Sequence, residues 1–367
     1  EDCQCQRGRA RAGQGRPRGC QKGRAHHETE HLHHHRRRAA DHELLYEHRR
    51  VLRPCDIASM KHKEQLYLCH GYGEICGFSD EDYRASGAHI DDPKEVMRKQ
   101  IICDPKIGDA SYLQDLADGT ILFGWVHPAE TKERAELLMR KKMNAFAWEN
   151  MYEEGRAVFY KNSELAGKAA VLHAFQLYGT LPQGKKVAIL GNGNTAKGAM
   201  QILYQLGAYV DVYPRKAEQA FLHHFQEYDV IINCILWDVE RSDHILYLSD
   251  LKKMKPHAMI IDVSCDAHCA IESSQPTTFT HPVYEIDGIL HYAVDHTPSL
   301  FHRSFLEDCG PICAHYLDIL IADGNDPVLQ EANILKDGVF TNNDIFVYLQ
   351  MLENNNILFK NKMAEND

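Results

Sequence analysis

The chain has 367 residues, 44% of them hydrophobic, and a formal net charge of −11, which predicts two domains of ordinary size with real apolar cores. No apolar run approaches the roughly 18 residues needed to cross a bilayer, and no charged segment followed by an apolar stretch opens the chain. A membrane-spanning or secreted protein is therefore not expected, and a cytoplasmic one is. The 12 cysteines follow neither disulfide-framework nor zinc spacing, so they read as reduced thiols and no metal site is expected.

The charge is unevenly spread. Residues 1–40 hold ten Lys/Arg against four Asp/Glu, so they carry +6 and the remainder −17. That segment has one large aliphatic residue, Leu32, and no aromatic residue, too little to offset its ordering entropy. Residues 1–45 are expected to be a disordered or foreign basic extension. A nucleic-acid-binding arm would want stacking aromatics, and the tract His31 to His35 lacks regular ligand spacing, so neither nucleic acid nor metal is expected there.

From about Glu64 the texture is that of a folded protein. "SDEDYRASG" offers Ser79 as a helix N-cap, acidic residues in the first turn and Gly87 as a stop. "VMRKQIICDPKIG" reads as a helix end, a short buried strand over 100–103 and a proline break. "LQDLADGTILFGWVHPAE" reads as helix, glycine turn, buried strand over 121–126 and a loop at His127-Pro128. "AELLMRKKMNAFAWENM" repeats the helix-to-strand alternation. Such αβ units predict an α/β fold with mostly parallel sheets. A long connecting helix is expected over 162–179. Strand 186–190, a glycine turn, helix 195–206 and strand 210–213 follow, and then the apolar runs "YDVIINCI", "MIIDVSCD" and "LHYAVDHTP". Near the end, "PVLQEANILKDG" reads as a last helix, and the polar tail "ENNNILFKNKMAEND" as frayed.

The run "ILGNGNTAKGA" places Gly191, Gly193 and Ala196 in the spacing of a dinucleotide turn, with Gly198 two residues on. Gly191 permits the turn, and Gly193 lets backbone amides approach a pyrophosphate at the helix N-terminus. Gly191, Asn192, Gly193, Asn194, Thr195 and Ala196 are the candidate cofactor-binding residues. About twenty residues on, where an NAD site carries Asp or Glu for the ribose 2′-hydroxyl, stand Pro214, Arg215 and Lys216. A 2′-phosphate favours cations over a carboxylate, so NADP(H) is the expected cofactor. Arg215 and Lys216 are otherwise ordinary solvated loop residues.

With "GYGEICGFSDEDYRASGAHI", "IICDPKIGDASYL", "GTILFGWVHP", "VFYKNSELAGKAAVL", "MIIDVSCDA" and "YAVDHTPSL" added to that turn, the chain resembles the alanine dehydrogenase and transhydrogenase N-terminal superfamily. The likeness is greatest to the branch that joins pyruvate to the side-chain amine of ornithine or lysine. The resemblance implies two Rossmann-like domains, with the nucleotide-binding one (161–300) inserted in the substrate domain (46–160) and a helical segment, 301–367, returning to the latter. Lys106 and His127, 21 residues apart, match the family's pair: Lys106 would hold the pyruvate carboxylate or carbonyl oxygen, and His127 would donate and accept protons. Both side chains suit those tasks, since an imidazole titrates near neutrality and an ammonium polarises a keto oxygen. Arg50, in "YEHRRV", matches the substrate-carboxylate arginine, although nothing before it reads as the family's first strand. A missing strand would leave a sheet edge unpaired. Asp266, Asp295 and His296 match positions beside the cofactor, with a helix N-cap as the alternative role for either Asp. The implied reaction is NADPH-dependent reductive condensation giving N5-(1-carboxyethyl)ornithine. An alanine dehydrogenase, a saccharopine-type amino-acid dehydrogenase and an inactive nucleotide-binding homologue stay open as alternatives, and a homo-oligomer is what such relatives commonly form.

Overall fold

The structure, a computed structural model, describes residues 49–128, 131–237, 241, 243–265 and 270–341. Its first sheet begins with three short parallel strands, β3 (Ile101–Cys103), β4 (Ile121–Gly124) and β5 (Asn144–Ala147). Each is an apolar run too short for a helix and bounded by turn residues. Ile102, Leu122, Ala145 and Ala147 share a core with Ile107, Val126, Leu138 and Met143. The crossover from β4 to β5 is helix α4 (Lys132–Arg140), which Thr131 caps by accepting from the Arg134 amide. Upstream, α1 (Pro54–Ser59) and α2 (Asp80–Ser86) flank β1 (Tyr67–Cys69), and α3 (Pro93–Val96) follows β2 (His89–Asp91). Ser79 caps α2 and Gly87 ends it in the left-handed conformation, as its sequence predicts. β1 and β2 form a separate parallel pair, and among the described residues no strand joins them to the exposed edge of β3.

After a two-residue-strand hairpin, β6 (Tyr152–Glu153) and β7 (Arg156–Ala157), comes α5 (Tyr160–Tyr178), stopped by Gly179 at φ 75°. It leads into a six-stranded sheet of order β12-β13-β11-β10-β8-β9. Its strands are β8 (Lys186–Leu190), β9 (Tyr209–Tyr213), β10 (Val230–Asn233), β11 (Met259–Asp262), β12 (Val283–Ile286) and β13 (Ile289–Tyr292), with α6 (Asn194–Gln205) and α7 (Glu218–His224) as crossovers. All pairs are parallel except β12 with β13. The central strands are buried on both faces, which is why they read as unbroken Val/Ile runs and not as alternating ones. α5 and α6 touch backbone to backbone. A Cβ built on Gly167 would lie 2.0 Å from the Thr195 carbonyl oxygen, and one on Gly198 would lie 1.8 Å from that of Glu164.

Helix α8 (His302–Ile321) then returns to the first lobe, packing Phe305, Cys309, Cys313 and Leu317 beside Val51, Phe123 and Trp148. The last element corrects the sequence reading. Only α9 (Pro327–Ala332) of the expected terminal helix is helical; the chain then forms β14 (Asn333–Lys336) and β15 (Val339–Phe340), which extend the first sheet to the order β15-β14-β5-β4-β3. β14 pairs antiparallel with β5, and Asp337 and Gly338, at φ 49° and 77°, make a turn whose twist matches its strands. The first sheet thus takes strands from 101–147 and again from 333–340, and all six strands of the second lie between them in the chain.

Candidate active site

Open parallel sheets bind ligands beyond the carboxyl ends of their strands. The candidate residues of the first lobe all lie there. Lys106 follows β3, His127 follows β4, and Glu149 follows β5. Two glycines press the first two loops together. A Cβ on Gly124 would lie 1.9 Å from the Asp104 carbonyl oxygen, and one on Gly108 would lie 2.0 Å from that of Val126. No other residue fits at either place, and the Gly108 amide donates to the Trp125 carbonyl at 3.0 Å.

Lys106 is set by its own loop. Its amide donates to Asp104 Oδ1 at 2.8 Å, while Asp104 Oδ2 accepts from the Tyr112 hydroxyl at 2.6 Å. The side chain is 12% exposed, and its Nζ lies 2.7 Å from Asp109 Oδ2 and 3.8 Å from Asp295 Oδ2. Asp109 also accepts from Arg134. Burial alone would raise the Asp109 carboxyl, but the Lys106 ammonium and the Arg134 guanidinium outweigh it and hold it below the ordinary carboxylate range.

His127 has a left-handed backbone, φ 42°, unusual for a residue with a side chain. Its amide donates to Glu149 Oε1 at 2.7 Å, the Val126 amide reaches Oε2 at 3.3 Å, and its carbonyl accepts from Arg134 at 2.9 Å. The imidazole is 36% exposed, with Nδ1 3.7 Å from Glu149 Oε1. Both peptide planes flanking the residue are therefore pinned, and the ring stays partly exposed.

The second lobe contributes Asp295 and His296, just after β13. Asp295 accepts from the His296 amide at 2.7 Å and lies 2.7 Å from its Nδ1. The Asp295 side chain is 57% exposed. Burial works against its charge, but the imidazole of His296 and then Lys106 hold its carboxyl well below the usual range. Lys106 and Asp295 thus bring the ends of the two sheets together.

Arg50 is held by backbone carbonyls of the first lobe. Its Nε donates to the Tyr72 carbonyl at 2.7 Å and its Nη1 to the Arg49 carbonyl at 3.1 Å. Its charge reaches the Cys69 thiol, which burial raises and which also feels Asp104. Cys69 therefore lies within electrostatic reach of both Arg50 and the Lys106 loop. Asp266 lies outside the described residues.

At the glycine turn, Gly191 has φ 102°, and a Cβ there would lie 2.9 Å from the Cys234 carbonyl oxygen. Gly193 is the N-cap of α6 with no capping side chain, and a Cβ there would meet nothing within 4 Å. Asn192 is exposed, Asn194 and Thr195 are half-buried, and Ala196 is buried in the core. The helix therefore starts with no capping side chain and with room beside Gly193, which fits a dinucleotide pyrophosphate. Close packing of the helix behind the turn is the work of Ala196 and, against the Glu164 carbonyl, of Gly198. Pro214 follows β9, Arg215 donates to the Leu236 carbonyl at 2.9 Å, and Lys216 is exposed. Buried Asn233 donates to Asp262 at 2.9 Å, tying the ends of β10 and β11 beside the turn.

Asp109, Glu149, Arg134 and the pair Gly108/Gly124 carry no motif signal of their own; only a polar residue at each strand end marks Glu149 and Asn233 in the sequence. Among the described residues no group of three or more His, Cys, Asp or Glu side chains could hold a metal, and no helix is long and apolar enough to cross a membrane.

Two α/β lobes, an open glycine turn on one and a lysine reaching from the other define a dinucleotide-dependent oxidoreductase fold. Known proteins resolve the class further. The alanine dehydrogenase/PNT N-terminal domain matches residues 42–166 and the alanine dehydrogenase/PNT C-terminal domain residues 213–348. N(5)-(carboxyethyl)ornithine synthase of Lactococcus lactis is 32% identical over 298 residues, 74% of this chain and 96% of the relative. Alanine dehydrogenase of Bacillus subtilis is 26% identical over 82% of this chain and 90% of its own length. The chain belongs to the alanine dehydrogenase/PNT family, NAD(P)-dependent oxidoreductases that act on CH–NH donors. In fold it matches an L-alanine dehydrogenase structure with a TM-score of 0.71 at 21% identity, covering 83% of this chain and 97% of the other. It also matches a transhydrogenase from Sinorhizobium meliloti with a TM-score of 0.67 at 16% identity, covering 81% of this chain and 96% of the other.

Proposed function

We propose that the protein is an NADPH-dependent synthase that reductively condenses pyruvate with the side-chain amine of ornithine or lysine. Residues 46–160 serve as the substrate domain and 161–300 as the nucleotide domain. The observation that supports the site assignment is the 3.8 Å approach of Lys106, after β3, to Asp295, after β13. In that reading the Lys106 ammonium is held by Asp109 at 2.7 Å and offers its remaining N–H directions to the keto acid. Arg50 supplies a second cation toward the carboxylate. His127 holds a proton at its imidazole. It protonates the carbinolamine hydroxyl so that the oxygen leaves as water and the C=N bond forms. Uncapped α6 amides at Gly193 to Thr195 receive the pyrophosphate, Arg215 and Lys216 receive the 2′-phosphate, and Asp295 and His296 line the nicotinamide side. Bound NADPH supplies the hydride that the imine carbon accepts. The chain's own share is mainly proximity, since two substrates and a cofactor meet in one cleft.

The preference for an amine side chain over ammonia rests on identity to the carboxyethylornithine synthases of 30–32% and on the missing carboxylate after β9. An alanine dehydrogenase is the second reading, favoured by the match along 90% of the Bacillus subtilis enzyme. Mass spectrometry of the product from pyruvate, NADPH and a mixture of ornithine, lysine and ammonia separates them. A secondary amine supports the synthase, and alanine as the sole product overturns it.

A further inference from the structure

We propose that Arg134 is a positioning residue that couples Lys106 to His127; the proposal deepens the reading above and rests on its assignment of those two side chains. Arg134 stands in the first turn of α4, where the helix dipole disfavours a cation. Local helix stability therefore does not account for its placement. Its side chain is 12% exposed and bridges two loops. Nη1 donates to the His127 carbonyl at 2.9 Å, and Nη2 donates to Asp109 Oδ1. The other Asp109 oxygen holds Lys106 Nζ at 2.7 Å. A continuous chain of charge-assisted contacts thus runs from the Lys106 ammonium through Asp109 and Arg134 to the backbone of His127.

Each link has a consequence for the two side chains. With Arg134 in place Asp109 is shared, so Lys106 is not drawn wholly into a pair with it and keeps its reach toward Asp295. At the other end the His127 backbone, left-handed at φ 42°, is held at its amide by Glu149 and at its carbonyl by Arg134. Those two anchors set the direction of the imidazole. Only a planar fork with two separated donors spans both acceptors; a lysine at the same position carries the charge but reaches one of them.

The test uses the full chain and the variants Arg134→Gln, Arg134→Lys and, as a control in the same helical turn, Glu133→Gln. The first arm measures kcat and KM for pyruvate with NADPH and whichever amine the wild type uses, each variant at a fixed interval below its own Tm. The second needs no turnover. Lysines are reductively methylated with 13C-formaldehyde, and the Lys106 resonance, assigned by its absence in Lys106→Arg, is followed by NMR. The coupling predicts that Arg134→Gln moves the Lys106 resonance and lowers kcat/KM by about 10- to 100-fold, the scale of a misplaced catalytic group. Arg134→Lys recovers only a minority of that loss, and Glu133→Gln changes neither readout. An unmoved Lys106 resonance in Arg134→Gln, or full recovery of kcat/KM by Arg134→Lys, overturns it. If the wild type turns over no amine with pyruvate, the proposed reaction fails, and the NMR arm alone decides whether Arg134 governs Lys106.

Discussion

The His127 amide donates to Glu149 Oε1 at 2.7 Å while the neighbouring Val126 amide reaches the other oxygen at 3.3 Å, so one carboxylate clamps the loop after β4 from the end of β5. A clamp of this kind fixes a left-handed residue that would otherwise relax. Glu149→Ala is expected to lower kcat by about 10- to 100-fold with a smaller effect on nucleotide affinity. Glu149→Gln retains one acceptor for the amides and loses less. Steady-state kinetics beside NADPH titration measures both; equal activity in all three proteins would remove Glu149 from the mechanism.

The proposed preference for NADPH rests on Arg215 and Lys216 in the loop after β9. Arg215→Ala should weaken NADPH by about tenfold or more, the scale of one charge-assisted hydrogen bond, and leave NADH nearly unchanged. Lys216→Ala should act in the same direction. Fluorescence titration of both nucleotides reads the difference, and equal weakening of the two would make Arg215 a loop residue tethered to the Leu236 carbonyl and nothing more.

Two glycines of the same helix start should behave oppositely. Gly198→Ala drives a methyl group into the Glu164 carbonyl and should cost about 1–3 kcal/mol or more, as overpacking does, lowering Tm. Gly193→Ala meets open space at an ordinary φ of −81°. It should keep Tm within the spread of neutral surface changes while weakening the dinucleotide. Thermal unfolding with and without NADPH separates packing from binding.

Stability should depend on pH through His291, which is 1% exposed. Its Nε2 pairs with the Ser273 hydroxyl at 2.8 Å, and its Nδ1 lies 2.9 Å from the Ile289 carbonyl. A neutral ring satisfies both contacts, and burial lowers its pKa from 6.5. Near and below pH 6.5 the unfolded chain therefore binds the proton that the folded one refuses. The neutral ring's contribution is fully present above that value and is lost as pH falls toward the folded pKa. His173 has the same sign, also through burial. Tm against pH should thus slope upward to about pH 6.5 and then flatten. His291→Gln should reduce the slope; an unchanged slope would exclude His291 as its source.

Much of this was legible in the sequence wherever the cause is local. Ser79 and Gly87 bound α2 because caps act within a turn, and the glycine spacing after β8 marked a tight strand-to-helix turn because a left-handed φ, as at Gly191, is a single-residue demand. The family resemblance offered Lys106 and His127 as a pair, and the fold sets them on neighbouring loops after β3 and β4. Their neighbours were not legible, because Asp109, Arg134 and Glu149 gain their roles only from contacts across loops. The terminal strands were misread although Asp337-Gly338 is a hairpin signal, since the run before it fits a helix until β5 is present to pair with it.

The central claim is tested most directly by NADPH oxidation with pyruvate and one amine at a time: ornithine, lysine or ammonia, in the wild type and in His127→Ala. The account predicts turnover with ornithine or lysine, none with ammonia alone, and loss of turnover in His127→Ala. Turnover supported by ammonia alone would contradict it.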